Sequence, residues 1–321
     1  MKIYGCNQLT EAQAATFDGL LNQKFTLVLY ALPIEPSTLA LIENYSREHQ
    51  VPLISLHSAG FYSYFRINLP GNFPIVDTHP DSTATTDLRL LTPWPELSKF
   101  AQDLTKNIKD LPPHEHGHIP YIVLLLHYLK EWKDSYGQYP NSYKEKKAFR
   151  DLVAAEARTK TPEGGEENFD EAVAAVLKTV SASSLPSHVK EVFEYNRTDV
   201  CNNLENIYYQ ADRNKAESKT SFWIIADAIK KFYEKHNELP LPGSVPDMKA
   251  QSNVYVKLQT IYKSKAKQDA AEVLENVRAH EGGKYIDDAE VDTFCKNAAF
   301  IKLIHGADTS PRNLKSIAGR L

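Results

Sequence analysis

Two apolar runs decide the fold of the first part of the chain: FTLVLYAL at Phe25–Leu32 and VPLISL at Val51–Leu56. Each is continuous rather than alternating and carries branched and aromatic residues, the pattern of a strand covered on both faces. Between them, Pro33 and Pro36 break the first run, and Ser37 can cap a helix reaching His49 with Leu41, Ile42 and Tyr45 along one side. Strand, helix and strand in this order imply a right-handed crossover between two parallel strands. After Gly60, FYSYFRINL adds aromatic and β-branched residues and extends the sheet.

From Thr92 onward the signals turn helical. Thr92-Pro93 reads as an N-cap and first-turn pair. Ile119 to Tyr136 is apolar nearly all round over its first half, so it predicts a central, buried helix. Ser142 with Glu145, Asn168 with Glu171, and Asp287 with Glu290 each place an acid three residues after a capping residue and mark helix starts. Glu163-Gly164-Gly165-Glu166 reads as an acidic loop. Phe222–His236 and Val254–His280 carry apolar residues at helical spacing, the second with Leu258, Ile261, Tyr262, Leu274 and Val277 facing inward. Pro240, Pro242 and Pro246 make the rigid connector between them. The expected architecture is α/β plus mostly α: a partial Rossmann-like segment over 1–90, a large helical domain over 91–305 and an unassigned tail over 306–321.

Apolar residues at 42% and charged residues at 24% allow a packed core. A net charge of −4 gives no general drive toward nucleic acid or an anionic membrane. The densest apolar stretch, Ile119–Leu129, contains His127 and is too short to span a bilayer, and the opening MKIYGCNQLTEAQ has no apolar leader core. Three widely spaced cysteines, Cys6, Cys201 and Cys295, make no disulfide framework and fit a reducing compartment.

Residue chemistry alone yields no catalytic constellation. Glycine-rich phosphate loops, a GxSxG elbow and an HExxH motif are absent from the sequence, which has 13 glycines in all. His114-Glu115-His116-Gly117-His118 has alternate spacing that Zn²⁺ or Ni²⁺ could use, set against a polar entry to the helix that follows. Cys295, beside Phe294 in a helical stretch, reads as a packed thiol rather than a nucleophile; Cys201 lies between Asp199 and two asparagines, which give a thiolate little support, and Cys6 is near a terminus. The acidic pairs Glu166/Glu167, Asp170/Glu171 and Asp287/Asp288 sit at helix starts, where capping and the macrodipole account for them. Lys263, Lys265 and Lys267 are followed by Asp269, Glu272 and Glu275 and read as a solvated helix face.

Several segments in one order are more specific: HPDSTATTDLRLLTPWPEL (His79–Leu97), HGHIPYIVLLLHYLKEW (His116–Trp132), PNSYKEKKAFRDL (Pro140–Leu152), EENFDEAV (Glu166–Val173), SFWIIADAIKKF (Ser221–Phe232) and PDMKAQSNVYVKLQTIYKSKAKQDAAEV (Pro246–Val273). Together they resemble the regulatory subunits of the neddylation-activating enzyme, the amyloid-precursor-binding protein one family, from Lys24 to Ile304. The resemblance implies half of a heterodimer that adenylates the C-terminal glycine of a cullin-modifying ubiquitin-like protein and captures it as a thioester. It implies a degenerate ThiF/adenylation-type half and a helical domain standing where a catalytic-cysteine domain would be, without the cysteine. ATP and Mg²⁺ chemistry would belong to the catalytic subunit, with no cofactor bound by this chain alone and no catalytic residues of its own. Partners would be the catalytic subunit and the modifier, with neither nucleic acid nor membrane, in the cytoplasm and nucleus.

The resemblance also places the contact with the catalytic subunit. The second histidine of the family's H-x-H pair matches His118, and its PDM…KLQ stretch matches Asp247, Met248, Ala250, Ser252, Tyr255, Lys257, Leu258 and Gln259, with Lys249, Gln251, Asn253 and Val254 departing from the pattern. Met248 and Tyr255 would supply apolar area and Lys257 and Gln259 directional hydrogen bonds; the competing reading packs Tyr255 and Leu258 inside their own domain. Against the family pattern the opening of the adenylation fold and its C-terminal return are missing, which leads us to expect a truncated gene product or one that needs a partner over its exposed sheet edges. Two other readings stay open on the residues: a free-standing nucleotide-binding α/β enzyme using the strand ends near Leu32–Pro33 and His57–Gly60, and a helical adaptor unrelated to modifier activation.

Overall fold

The computed structural model describes residues 25, 27–49, 51–69, 71–80, 87–159, 164–195 and 217–306, with the side chains of 217–220 excepted. Cys6, Cys201, Glu163 and the tail beyond Gly306 lie outside the described residues. The chain is mixed α/β with small sheets and mostly helix. It divides into two compact units: one takes its described residues from the segment up to Ile75 and from Leu303 onward, the other is Val76–Lys302.

In the first unit the apolar runs become β1 (Val28–Leu32) and β2 (Leu53–Ala59), paired in parallel from Val28 opposite Leu53 to Leu32 opposite His57. The helix between them, α1 (Pro36–His49), starts at the proline itself and buries Thr38, Ile42, Tyr45 and Ser46. Its end is tied to the entry of β2, because Ser46 Oγ donates to the Val51 carbonyl at 2.7 Å. β3 (Tyr62–Asn68) pairs antiparallel with β2, so the strand order is β1-β2-β3. Gly60, at the first position of the two-residue hairpin loop, has φ +61, which a side chain would strain.

Continuous apolarity predicts both faces covered. The structure covers fewer: β1 alternates between half-buried and exposed positions, and six of the seven β3 residues are exposed, Tyr62, Tyr64, Phe65 and Ile67 among them. A separate two-stranded sheet joins β4 (Asn72–Val76) and β5 (Ile301–His305). The bonds from Asp77 N to the Phe300 carbonyl (3.1 Å) and from Gly306 N to the Gly71 carbonyl (3.0 Å) make it antiparallel. β5 corrects the expectation of helix alone beyond Thr92; a five-residue apolar run cannot be told from the end of a helix by periodicity.

The second unit holds helices α2 (Pro95–Thr105), α3 (Pro113–His116), α4 (Tyr121–Tyr136), α5 (Tyr143–Ala155), α6 (Glu167–Thr179), α7 (Ser187–Glu194), α8 (Glu217–His236), α9 (Ser252–Arg278) and α10 (Asp288–Lys296). α4 is the expected buried helix, with Ile122 to Leu125 wholly inaccessible, and it starts only after Pro120. Leu97 of α2, Phe149 and Val153 of α5, Phe169 and Val176 of α6, and Leu258 and Tyr262 of α9 belong to the same core. Each large apolar side chain buried this fully stabilises the fold by about 1.5–3 kcal/mol before entropy is counted.

Helix starts follow the sequence where the partners are local. Ser142 and Glu145 close a reciprocal capping box at α5, the Ser142 hydroxyl accepting from Glu145 N (3.2 Å) and the Glu145 carboxylate from Ser142 N (2.7 Å). Asp287 caps α10 through Ala289 N, while Glu290 accepts from the Ser221 hydroxyl instead of reaching back. Two expected caps are corrected. Thr92 does not cap α2, whose first residue is Pro95; its hydroxyl donates to Glu238. Asn168 lies inside α6, buried, with its amide spent on the carbonyls of His116 (2.9 Å) and Ile119 (3.0 Å).

The proline-rich connector between α8 and α9 is held down tightly. Leu241 N donates to Asp269 of α9 at 3.0 Å, and α9 is itself tied to the segment before α2, Tyr262 donating its hydroxyl to the Leu88 carbonyl at 2.6 Å. Gly243 has φ +79, and a Cβ there would lie 2.7 Å from that of Ala266 in α9, so neither the angle nor the gap admits a side chain. Arg89, buried, bonds Asp87, Glu238 and the Leu239 carbonyl, fixing the segment before α2 to the end of α8.

Candidate docking surface

The His114–His118 segment forms α3 and the turn that follows it, and its three histidines do not converge. His116 is 3% exposed; its Nδ1 lies 2.6 Å from Glu166 Oε1 and its ring stacks on Phe169. The other oxygen of Glu166 accepts from Arg158 N at 2.7 Å, and the Arg158 guanidinium donates to the carbonyls of Leu111 (2.7 Å) and Lys109 (2.8 Å). Glu166 is thus a buried anchor for the turn, which corrects its reading as a capping acid.

His114 and His118 stack on each other, ring centroids 4.2 Å apart, and His118 Nδ1 donates to the His114 carbonyl at 2.7 Å. With the proton on Nδ1, a neutral His118 offers Nε2 as an acceptor. Among the described residues no group of three His, Cys, Asp or Glu side chains is arranged to hold a metal ion.

The second segment comes to the same place. Gln251 N donates to the His118 carbonyl at 3.3 Å, joining the connector to the turn. Asp247 is exposed and accepts from Met248 N (3.1 Å); Ser252 and Lys257 are exposed; Ala250, Tyr255, Gln259 and His118 are half-buried. The Tyr255 hydroxyl reaches the Pro246 carbonyl at 3.4 Å. Met248, 9% exposed, and Leu258, 0% exposed, pack in the unit's own core, so the apolar area anticipated from Met248 is turned inward. Val256, 57% exposed, is the apolar residue of this stretch that lies open, and the sequence reading passed over it.

Sequence reasoning also missed what holds the connector in place. Both carboxylate oxygens of Glu171 accept from Lys249 N, at 3.1 and 3.0 Å, and Lys249 Nζ lies 3.5 Å from Glu167. Burial pushes the Glu171 carboxyl above its ordinary value, opposed by the Lys249 amide. Burial and the nearby Glu171 charge push the Tyr121 phenol up to about 12. Spacing within the helix pointed to a cap, and nothing local signals a partner so far along the chain.

Cys295 is buried, and burial first, with Asp292 and Asp269 behind it, pushes its thiol up to about 12, the state of an inert packed cysteine.

No family model matches the chain. It is similar to the NEDD8-activating enzyme E1 regulatory subunit of Xenopus laevis, 34% identical over 312 residues, covering 90% of this chain and 54% of that protein. The NEDD8-activating enzyme E1 regulatory subunit AXR1 of Arabidopsis thaliana is 33% identical over 288 residues, covering 87% and 49%. That of Saccharomyces cerevisiae is 25% identical over 257 residues, covering 79% and 52%. The chain spans about half the length of the curated relatives it matches. Over that half, the similarity supports placing the chain with these regulatory subunits. The similarity extends over most of this chain, and the readings as a free-standing nucleotide-binding enzyme or an unrelated adaptor are not favoured.

Proposed function

We propose that the chain acts as a non-catalytic regulatory subunit of a heterodimeric enzyme that activates NEDD8, the ubiquitin-like protein placed on cullins. Its role is to present a surface to a catalytic subunit, which carries out ATP- and Mg²⁺-dependent adenylation and thioester formation. The first unit serves as a partial adenylation-type, Rossmann-like segment, and the helical unit stands in place of a catalytic-cysteine domain. The heterodimer works in the cytoplasm and nucleus, apart from nucleic acid and membrane.

One observation carries the reading: the Gln251–His118 hydrogen bond brings together the two segments that the family resemblance names as contacts with the catalytic subunit. Asp247, Ser252 and Lys257 are exposed there, and His118, Ala250, Tyr255 and Gln259 are half-buried. A half-buried tyrosine beside charged rim residues is the composition of a partner-binding patch. Met248 and Leu258 support it from beneath.

The test is modifier-dependent ATP–pyrophosphate exchange with the chain alone, the catalytic subunit alone and both together. We expect exchange to require the catalytic subunit, and the two chains to co-elute in gel filtration. Lys257→Glu should weaken their association about tenfold, the equivalent of 1.4 kcal/mol. Exchange by this chain without a second subunit would overturn the proposal.

A further inference from the structure

Glu171 is a positioning residue for the docking edge, as we infer from what one turn of α6 grips; the inference rests on the function proposed above. The connector at 247–251 lies outside the strands and helices, directly ahead of α9. Two of its amides are tied to distant parts of the chain: Lys249 N donates to both oxygens of Glu171, and Gln251 N to the His118 carbonyl. Glu167, one turn earlier on the same helix, takes the Lys249 ammonium at 3.5 Å.

The opposite side of this turn holds the histidine segment. Glu166 meets His116 at 2.6 Å, and Asn168 donates to the carbonyls of His116 and Ile119. The start of α6 therefore braces both halves of the surface, and Glu171 is the member that touches the connector backbone. Tyr121, Glu167, Asp247 and Lys249 are the ionisable groups around it. A carboxylate kept partly from water beside two other acids is an unfavourable placement unless the amide bond it makes compensates. Holding the edge in its bound shape before association lowers the ordering cost of binding.

The consequences separate positioning from bulk stability. Glu171→Ala removes the acceptor and frees Lys249 N to exchange with solvent, while the core residues beneath remain packed. Glu171→Gln keeps a carbonyl oxygen that can accept the same amide. The experiment follows hydrogen exchange of the 247–251 backbone in the free chain, thermal unfolding, and affinity for the catalytic subunit of the NEDD8-activating enzyme by calorimetry.

For Glu171→Ala we expect at least about tenfold faster exchange at Lys249 and about tenfold weaker binding, with the unfolding midpoint close to that of the wild type and most of the binding recovered in Glu171→Gln. Should Glu171→Ala not fold, Glu171→Asp keeps the charge but shortens its reach, and it should show the same two losses. If Lys257→Glu weakens binding and Glu171→Ala does not, the positioning role is overturned while the docking surface stands. If neither variant changes binding, both ideas fall together.

Discussion

Asp269 is a single residue whose surroundings reverse its apparent role. In the sequence it follows three lysines and looks like part of a solvated face; in the structure it is 3% exposed, accepting from Leu241 N at 3.0 Å and from Lys265 Nζ at 2.7 Å. Lys263 and Lys267 do face solvent. Replacing Asp269 by Ala should therefore cost about 1.5–3 kcal/mol, the range for hydrogen bonds to a charged group, read as a lower urea midpoint at unchanged slope. Cys295 makes the complementary point. Its helical, aromatic setting was enough to predict a packed thiol, because a helix face needs no distant partner to be recognised. With its thiol pushed up to about 12 by burial, it should stay unmodified by iodoacetamide at pH 8 in the folded chain and react once urea is added, followed by mass mapping of its own peptide. Alkylation of the native chain at a free-thiol rate would refute that.

Elements were legible to the extent that their causes are local. The helical periods of α4, α8 and α9 and the strand runs of β1 to β3 carry their signal within the element, and the structure has all of them. The Ser142–Glu145 box is likewise complete within four residues. Ser142→Ala should accordingly destabilise the helical unit by about 1 kcal/mol in chemical denaturation, and Ser142→Gly by only a few tenths. Thr92 and Asn168 have the same local chemistry but are recruited by Glu238 and by the His116 and Ile119 carbonyls, groups that sequence spacing cannot see. The docking edge divides in the same way. Family resemblance points to His118 and 247–259 as the proposed contact, whereas the inward turn of Met248 and Leu258 and the grip of Glu171 depend on what the helices pack against. At Gly243 the cause is visible only in three dimensions: Gly243→Ala adds a methyl at φ +79 within 2.7 Å of Ala266, and should destabilise the chain by more than about 1 kcal/mol.

Across the whole molecule, a continuous apolar run shows that a strand wants cover but does not say what supplies it, and the alternation of half-buried and exposed positions along β1 is the visible result. The response of stability to pH is also a property of the whole chain, and His127 gives it a definite sign. This half-buried residue of α4 is held below the ordinary histidine range chiefly by burial, with Lys130 and Lys109 adding to the effect and Glu131 and Glu156 opposing it. Unfolded, it takes a proton near the ordinary value of about 6.5. Folded, it takes one only at lower pH, so between the two values the unfolded chain binds more protons and stability falls as pH falls. Glu272, whose carboxyl Lys235 and His236 hold below the usual carboxylate range, loses its contribution only further into acid, as pH drops below its unfolded value of about 4.3. Urea midpoints at pH 7.5 and 5.5 therefore sample the histidine with little interference from that carboxylate. The wild-type chain should lose more stability over this interval than His127→Gln, in which the group that resists protonation is gone. An equal loss in both chains would mean that burial of His127 does not couple to folding.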